Sequence, residues 1–129
     1  MHDCLRAIVR LIAMANEEIQ EILGRAQEQN QHLQNVVMQK QSLSMQKIEI
    51  ERALEEVANA KGDIFKSVGP VLLKSTKEKL KEELEEIVMQ IDMKIKGLEK
   101  QEKRLEAMMK ESQDELQNMI KPGSGKQAG

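Results

Sequence analysis

The chain has 129 residues, a formal net charge of −2 from 20 Lys and Arg against 22 Asp and Glu, and one aromatic residue, Phe65, with neither Trp nor Tyr. So little aromatic area excludes an ordinary globular core. A composition that is 33% charged and otherwise rich in Leu, Ile, Met, Ala and Gln is that of long helices and coiled coils. Charges of both signs are interleaved with no basic stripe, which argues against a nucleic-acid partner.

The opening run from Leu5 to Ala15 is apolar but divided by Arg6 and Arg10, and it is shorter than the roughly 20 residues a membrane span requires. A secretory leader would place basic residues ahead of an unbroken apolar run, whereas Asp3 precedes this one. Residues 1–15 are therefore read as an N-terminal extension, with Met14 as an alternative start for the domain that follows. Cys4 is the only cysteine, so no intrachain disulfide forms and a reducing cytoplasm is the natural compartment.

From Ile19 the seam positions step by three and four: Ile19, Ile22, Ala26, Gln29, Leu33, Val36, Lys40, Leu43, Lys47, Ile50, Leu54, Val57. This heptad series predicts a first long helix, whose polar seam residues Gln29, Lys40 and Lys47 set register at a cost in stability. Lys61-Gly62-Asp63 predicts its end near Ala60, with Gly62 supplying the left-handed residue after a helix.

Residues 63–75 then read as a small β-hairpin, rich in β-branched side chains around a central Gly69-Pro70. Glycine accepts positive φ at the first central position of a type II′ turn and proline's fixed φ suits the second, which sets Val68 opposite Val71. Both faces of this hairpin are apolar, with Ile64, Val68, Val71 and Leu73 on one and Phe65 and Leu72 on the other. A lone hairpin is marginal in water, so each face needs a cover: the end of the chain's own coiled coil for one, strands of neighbouring subunits for the other.

Ser75-Thr76-Lys77-Glu78 reads as a capping box with Ser75 at the cap, which starts a second helix at about Thr76. Its predicted seam is Leu80, Leu84, Ile87, Ile91, Ile95, Leu98, Glu102, Leu105, Met109, Ser112, Leu116, Met119, with an extra four-residue step from Ile91 to Ile95 that unwinds the supercoil locally. Pro122-Gly123-Ser124-Gly125 ends the helix, and residues 121–129 read as a disordered tail. Each helix is about 40 residues, or roughly 60 Å long. Matched seams joined by a short linker predict an antiparallel pair, with the hairpin at one end and the chain termini at the other.

At that other end Leu23 lies off the first seam beside Ile19 and Ile22, and Met108 lies off the second beside Met109, Met119 and Ile120. Two helices cannot hide all seven, and unbranched methionine suits a surface that adapts to varied partners. No catalytic or metal-binding set emerges, since His2, His32 and Cys4 have no clustered ligands at metal spacing, and no cofactor motif appears. The dense charge run from Lys77 to Glu86 is a solvated helix face.

The segment Ile64-Phe65-Lys66-Ser67-Val68-Gly69-Pro70-Val71-Leu72-Leu73-Lys74-Ser75-Thr76-Lys77-Glu78 resembles the hairpin and helix-start signature of prefoldin, in its β class of archaeal type. Leu98-Glu99-Lys100-Gln101-Glu102 and the glutamine-rich run around Gln39, Lys40 and Gln41 are similar to helical pieces of the same family, and the likeness covers about residues 16 to 120. Room for one hairpin rather than two favours the β class. Residues 1–13 have no counterpart in the family, and Pro70 stands where a polar residue is more usual.

The resemblance implies a mainly α fold, an antiparallel two-helix coiled coil whose hairpins assemble into an oligomeric β-barrel platform, in a hexamer of two α-class and four β-class subunits. It implies an ATP-independent cytoplasmic chaperone, not an enzyme, that holds unfolded polypeptides at the arm tips and passes them to a group II chaperonin. By position, Ile64, Phe65, Val68, Val71, Leu72 and Leu73 would be assembly residues. Ile19, Ile22, Leu23, Met108, Met109, Met119 and Ile120 would be client-binding residues. The competing expectation is a structural coiled-coil scaffold or adaptor in which the hairpin is only a connector.

Overall fold

A computed structural model describes residues 2–120, so the disordered tail expected over 121–129 lies outside the described residues. The chain forms helix α1 (His2–Asn59), strands β1 (Ile64–Val68) and β2 (Val71–Ser75), and helix α2 (Lys77–Ile120). This is the expected arrangement of two long helices with one hairpin between them. No break separates residues 2–15 from the rest of α1. The chain divides into two compact units, Val37–Lys100 and a second made by the residues up to Val36 with those from Gln101 on.

In the Val37–Lys100 unit the exit from α1 follows its local chemistry. The Ala60 amide donates to the Val57 carbonyl at 3.3 Å, and Gly62 takes φ +93°, a region closed to side chains with a Cβ except at a cost. β1 and β2 pair antiparallel from Ile64↔Ser75 to Val68↔Val71, so Gly69 and Pro70 alone make the turn. Gly69 has φ +57°, as the first central position of a type II′ turn requires.

The start of α2 differs from the expected capping box by one residue. Thr76 Oγ1 accepts from the Lys79 amide at 3.2 Å, and the Leu80 amide donates to the Thr76 carbonyl at 3.0 Å, so Thr76 is the cap. Ser75 is spent as the last residue of β2, opposite Ile64. With the cap at Thr76 the third helical position is Lys79, which cannot reach back as a glutamate would.

Every expected seam position of α1 from Ile19 to Val57 is buried or half-buried. On α2 one position moves: Ile87 is 39% exposed and Val88 takes its place facing inward. The seam therefore runs Leu80, Leu84, Val88, Ile91, and alternates three- and four-residue steps without interruption from Val88 to Met119. The extra four-residue step falls between Leu84 and Val88, about two turns nearer the hairpin than the sequence pattern places it.

Buried positions are few in both units among the described residues. Ile91 is the buried apolar residue of Val37–Lys100, and Ile22, Val36 and Leu105 are those of the other unit, with Ser112 as a buried polar neighbour. Ser112 Oγ donates to Gln29 Oε1 at 3.2 Å, which satisfies the hydroxyl and gives the seam a polar layer. In Val37–Lys100 Lys47 Nζ lies 2.8 Å from Asp92 Oδ1, and this hydrogen-bonded carboxylate holds the ammonium above its ordinary range. Two of the polar seam residues of α1 are thus paired across to α2 rather than left as packing defects. Because Thr76 and not Ser75 caps α2, Thr76→Ala is expected to cost about 1 kcal/mol in urea unfolding, and Ser75→Ala clearly less.

Candidate functional site

The hairpin belongs to Val37–Lys100 and is apolar on both faces. Cross-strand register puts Ile64, Lys66, Val68, Val71, Leu73 and Ser75 on one face and Phe65, Ser67, Leu72 and Lys74 on the other. Lys66 Nζ reaches Glu83 Oε2 of α2 at 2.9 Å, so the first face is the one turned toward the helix. Even so, only its helix-proximal pair, Ile64 and Ser75, is half-buried. Val68, Val71 and Leu73 are half exposed on that face, and Phe65 and Leu72 are exposed on the other.

The expectation that the chain's own coiled coil covers one face is corrected here. Val68, Val71 and Leu73 remain 50–51% exposed on the face turned toward α2, and the ion pair from Lys66 to Glu83 joins that face to the helix. The sheet has two strands, so each keeps one edge of backbone N–H and C=O groups without a strand partner among the described residues. The six residues Ile64, Phe65, Val68, Val71, Leu72 and Leu73 thus form one apolar, two-sided, edge-open surface.

In the other unit α1 and α2 run antiparallel. Glu18, Ile22 and Arg25 line a groove with Glu115, Asn118 and Met119, and the Arg25 guanidinium lies 3.2 Å from Glu115 Oε2. A neighbouring apolar groove is lined by Ile22, Ala26, Leu33, Met109 and Leu116 around Ser112. The seven residues proposed from the sequence separate by exposure. Leu23, Met108 and Ile120 are exposed, Ile19, Met109 and Met119 are half-buried, and Ile22 is buried in the seam. Ile22 lines both grooves but adds almost no free surface.

The largest exposed apolar stretch of this unit is one that composition alone had set aside: Leu5, Ile8, Val9, Leu11, Ile12 and Met14 are each 51–66% exposed on the first turns of α1. Their three- and four-residue spacing was the available signal. Exposed methionine by itself marks nothing, because Met38, Met45, Met89 and Met93 are equally open elsewhere on the helices. What distinguishes the first turns of α1 is that aliphatic side chains cluster there. Among the described residues no group of three or more His, Cys, Asp or Glu gathers at metal-binding distance, and no helix is long and apolar enough to cross a membrane.

Comparison with known proteins places these features. The family profile described as "Prefoldin subunit" matches residues 20–122. The chain is 34% identical over 107 residues to the prefoldin subunit beta of Thermococcus kodakarensis, covering 81% of this chain and 92% of that protein. It is 32% identical over 110 residues to the prefoldin subunit beta of Archaeoglobus fulgidus, covering 84% and 95%. The crystal structure of the prefoldin beta subunit from Thermococcus strain KS-1 superimposes with a TM-score of 0.77 at 33% identity, covering 81% of this chain and 94% of that one. The beta2 subunit from the same strain gives 0.60 at 25% identity.

The Lys66–Glu83 ion pair ties the strands to α2, and the lysine's hydrogen bond holds the Glu83 carboxyl below its ordinary value of 4.5. A depressed carboxylate stabilises the folded chain above its unfolded pKa, and that contribution is lost as pH falls through the folded value. Thermal unfolding of Glu83→Gln should therefore lie below that of the parent chain at pH 7, and the gap should close as the pH is taken below about 4.5.

Proposed function

The chain belongs to the prefoldin subunit family, and from that premise we propose that it is the β-class subunit of an ATP-independent holdase chaperone of the cytoplasm. In this reading its hairpin joins those of other subunits in a β-barrel platform, within a hexamer of two α-class and four β-class chains. Non-native polypeptides bind at the helix ends and pass to a group II chaperonin. The family is one of chaperone subunits and is not a known class of enzyme.

The observation that carries the reading is the hairpin. An apolar surface open on both faces and along both edges is unstable in water, and the chain's own helices do not cover it. Strands from neighbouring subunits supply both of the missing things at once, hydrogen-bond partners for the edges and apolar side chains for the faces. A connector in a scaffold protein has no use for either. For client capture the support is the exposure of Leu23, Met108 and Ile120 around the half-buried Met109 and Met119. Apolar side chains on a surface that no second element covers hold unfolded segments by burial alone, which needs no nucleotide.

Two pairs of substitutions separate the roles. Phe65→Asp with Leu72→Asp should reduce the mass of the assembly formed with an α-class partner to that of a single chain or a pair, by light scattering, while helical content by circular dichroism is kept. An unchanged mass would make the hairpin a mere connector. Leu23→Ser with Met108→Ser should leave the mass unchanged and lower suppression of aggregation of a denatured client several-fold; full suppression would remove these residues from client binding.

A further inference from the structure

The first turns of α1 carry a surface that neither the hairpin nor the seam accounts for. Between Cys4 and Ala15 the only charged residues are Arg6 and Arg10, and every residue from His2 to Glu18 is exposed among the described residues. At 3.6 residues per turn the large apolar side chains, from Met14 through Leu11, Ile8, Ile12 and Leu5 to Val9, sweep about 220° of the helix circumference. A packed neighbouring helix takes a stripe of roughly 100°, so the arc is about twice what one partner helix, or the same helix of a second copy, would cover.

The rest of the circumference is a narrow basic stripe. His2, Arg6 and Arg10 follow one another at four-residue spacing and, with Leu5 and Val9 beside them, line one groove along the helix. Two guanidinium groups one turn apart at the border of an apolar face match the border between phosphates and acyl chains in a lipid leaflet. Guanidinium groups donate in pairs to phosphate oxygens, while aliphatic side chains enter the acyl region by burial alone. Asp3 is the one acid before Glu17. Glu18 then falls on the apolar side of the helix and, with Glu17 and Glu21, closes the face after about four turns.

The length suits a helix that lies on a bilayer rather than one that crosses it. Four turns extend about 21 Å, against about 30 Å of hydrocarbon, and among the described residues no helix is long and apolar enough to cross a membrane. A helix with a broad apolar arc and a basic polar face lies in the plane of the leaflet, at the boundary of headgroups and acyl chains. Lipid is a continuous medium, so it covers the whole arc where a single helix covers a stripe.

We propose that residues 4–15 of α1 form an interfacial anchor that seats the protein on the surface of anionic lipid bilayers, with Arg6 and Arg10 taking the headgroup phosphates. The proposal goes beyond the holdase reading and does not depend on it. This stretch precedes the family match at residues 20–122, and Leu23 and Met108 lie outside it.

The test is flotation of the full chain with vesicles of phosphatidylcholine alone and of an equimolar mixture with phosphatidylglycerol. The chain should float with the mixed vesicles and bind phosphatidylcholine about fivefold more weakly. Ile8→Gln with Ile12→Gln, both at exposed positions, should lower binding to the mixed vesicles at least about tenfold, with helical content by circular dichroism and suppression of client aggregation unchanged. Arg6→Gln with Arg10→Gln should lower it at least about fivefold and erase the preference for phosphatidylglycerol. Leu23→Ser with Met108→Ser should leave vesicle binding as in the parent chain. Vesicle binding that survives the Ile8 and Ile12 changes, or a lipid preference that survives the Arg6 and Arg10 changes, would overturn the proposal. If the parent chain does not float, and the Ile8 and Ile12 changes instead lower aggregation suppression or the mass in solution, the face serves a polypeptide and the lipid anchor is wrong. The holdase reading fails separately, if the parent chain does not suppress client aggregation.

Discussion

In each unit the seam between α1 and α2 is the interior the chain has, and its capacity limits everything else. Two helices packed side by side hide one stripe of each and leave the rest in water. The consequence is visible in how few side chains are buried among the described residues: Ile22, Val36, Ile91 and Leu105, with the polar Ser112. Whatever apolar surface the sequence encodes beyond that stripe has no place to go within a single chain.

The hairpin and the first turns of α1 exceed that capacity for different reasons. At the hairpin the surplus is geometric. A two-stranded sheet has two faces and two edges, and a helix pair ends in a cross-section too small to cover even the face turned toward it. The tie between them is accordingly polar, from Lys66 to Glu83. On α1 the surplus lies in its first turns, where Leu5, Ile8 and Ile12 keep the seam spacing and yet are exposed. Polar seam pairs such as Gln29 with Ser112 and Lys47 with Asp92 meanwhile hold register where apolar packing is thin, because a shifted alignment would leave those groups unpaired.

Much of this was legible in the sequence. Seam positions depend on spacing within one helix, so Ile19 through Val57 could be read off directly, and Gly62 and Gly69 announce positive φ because few other residues tolerate it. Where two adjacent residues offer the same chemistry, spacing cannot choose between them. Ile87 and Val88 are both apolar, and Ser75 and Thr76 both carry a hydroxyl able to cap a helix. The choice was made by the strand register, which consumes Ser75 and sets the rotation at which α2 starts. The seven helix-end candidates shared a region in the sequence but not an exposure, because burial of Ile22 against leaving Leu23 open depends on which side of α1 the partner helix lies.

The sequence by itself determined the elements: two heptad helices, one glycine–proline hairpin, and a family signature strong enough to name the β class of prefoldin. These follow from local periodicity and backbone restriction, which need no knowledge of distant residues. Only the tertiary structure decided coverage. That the helices leave both hairpin faces open, and that the apolar side chains on the first turns of α1 stay exposed, depends on how distant parts of the chain pack within each unit. Solvent exposure is a property of that arrangement and not of any single stretch of residues.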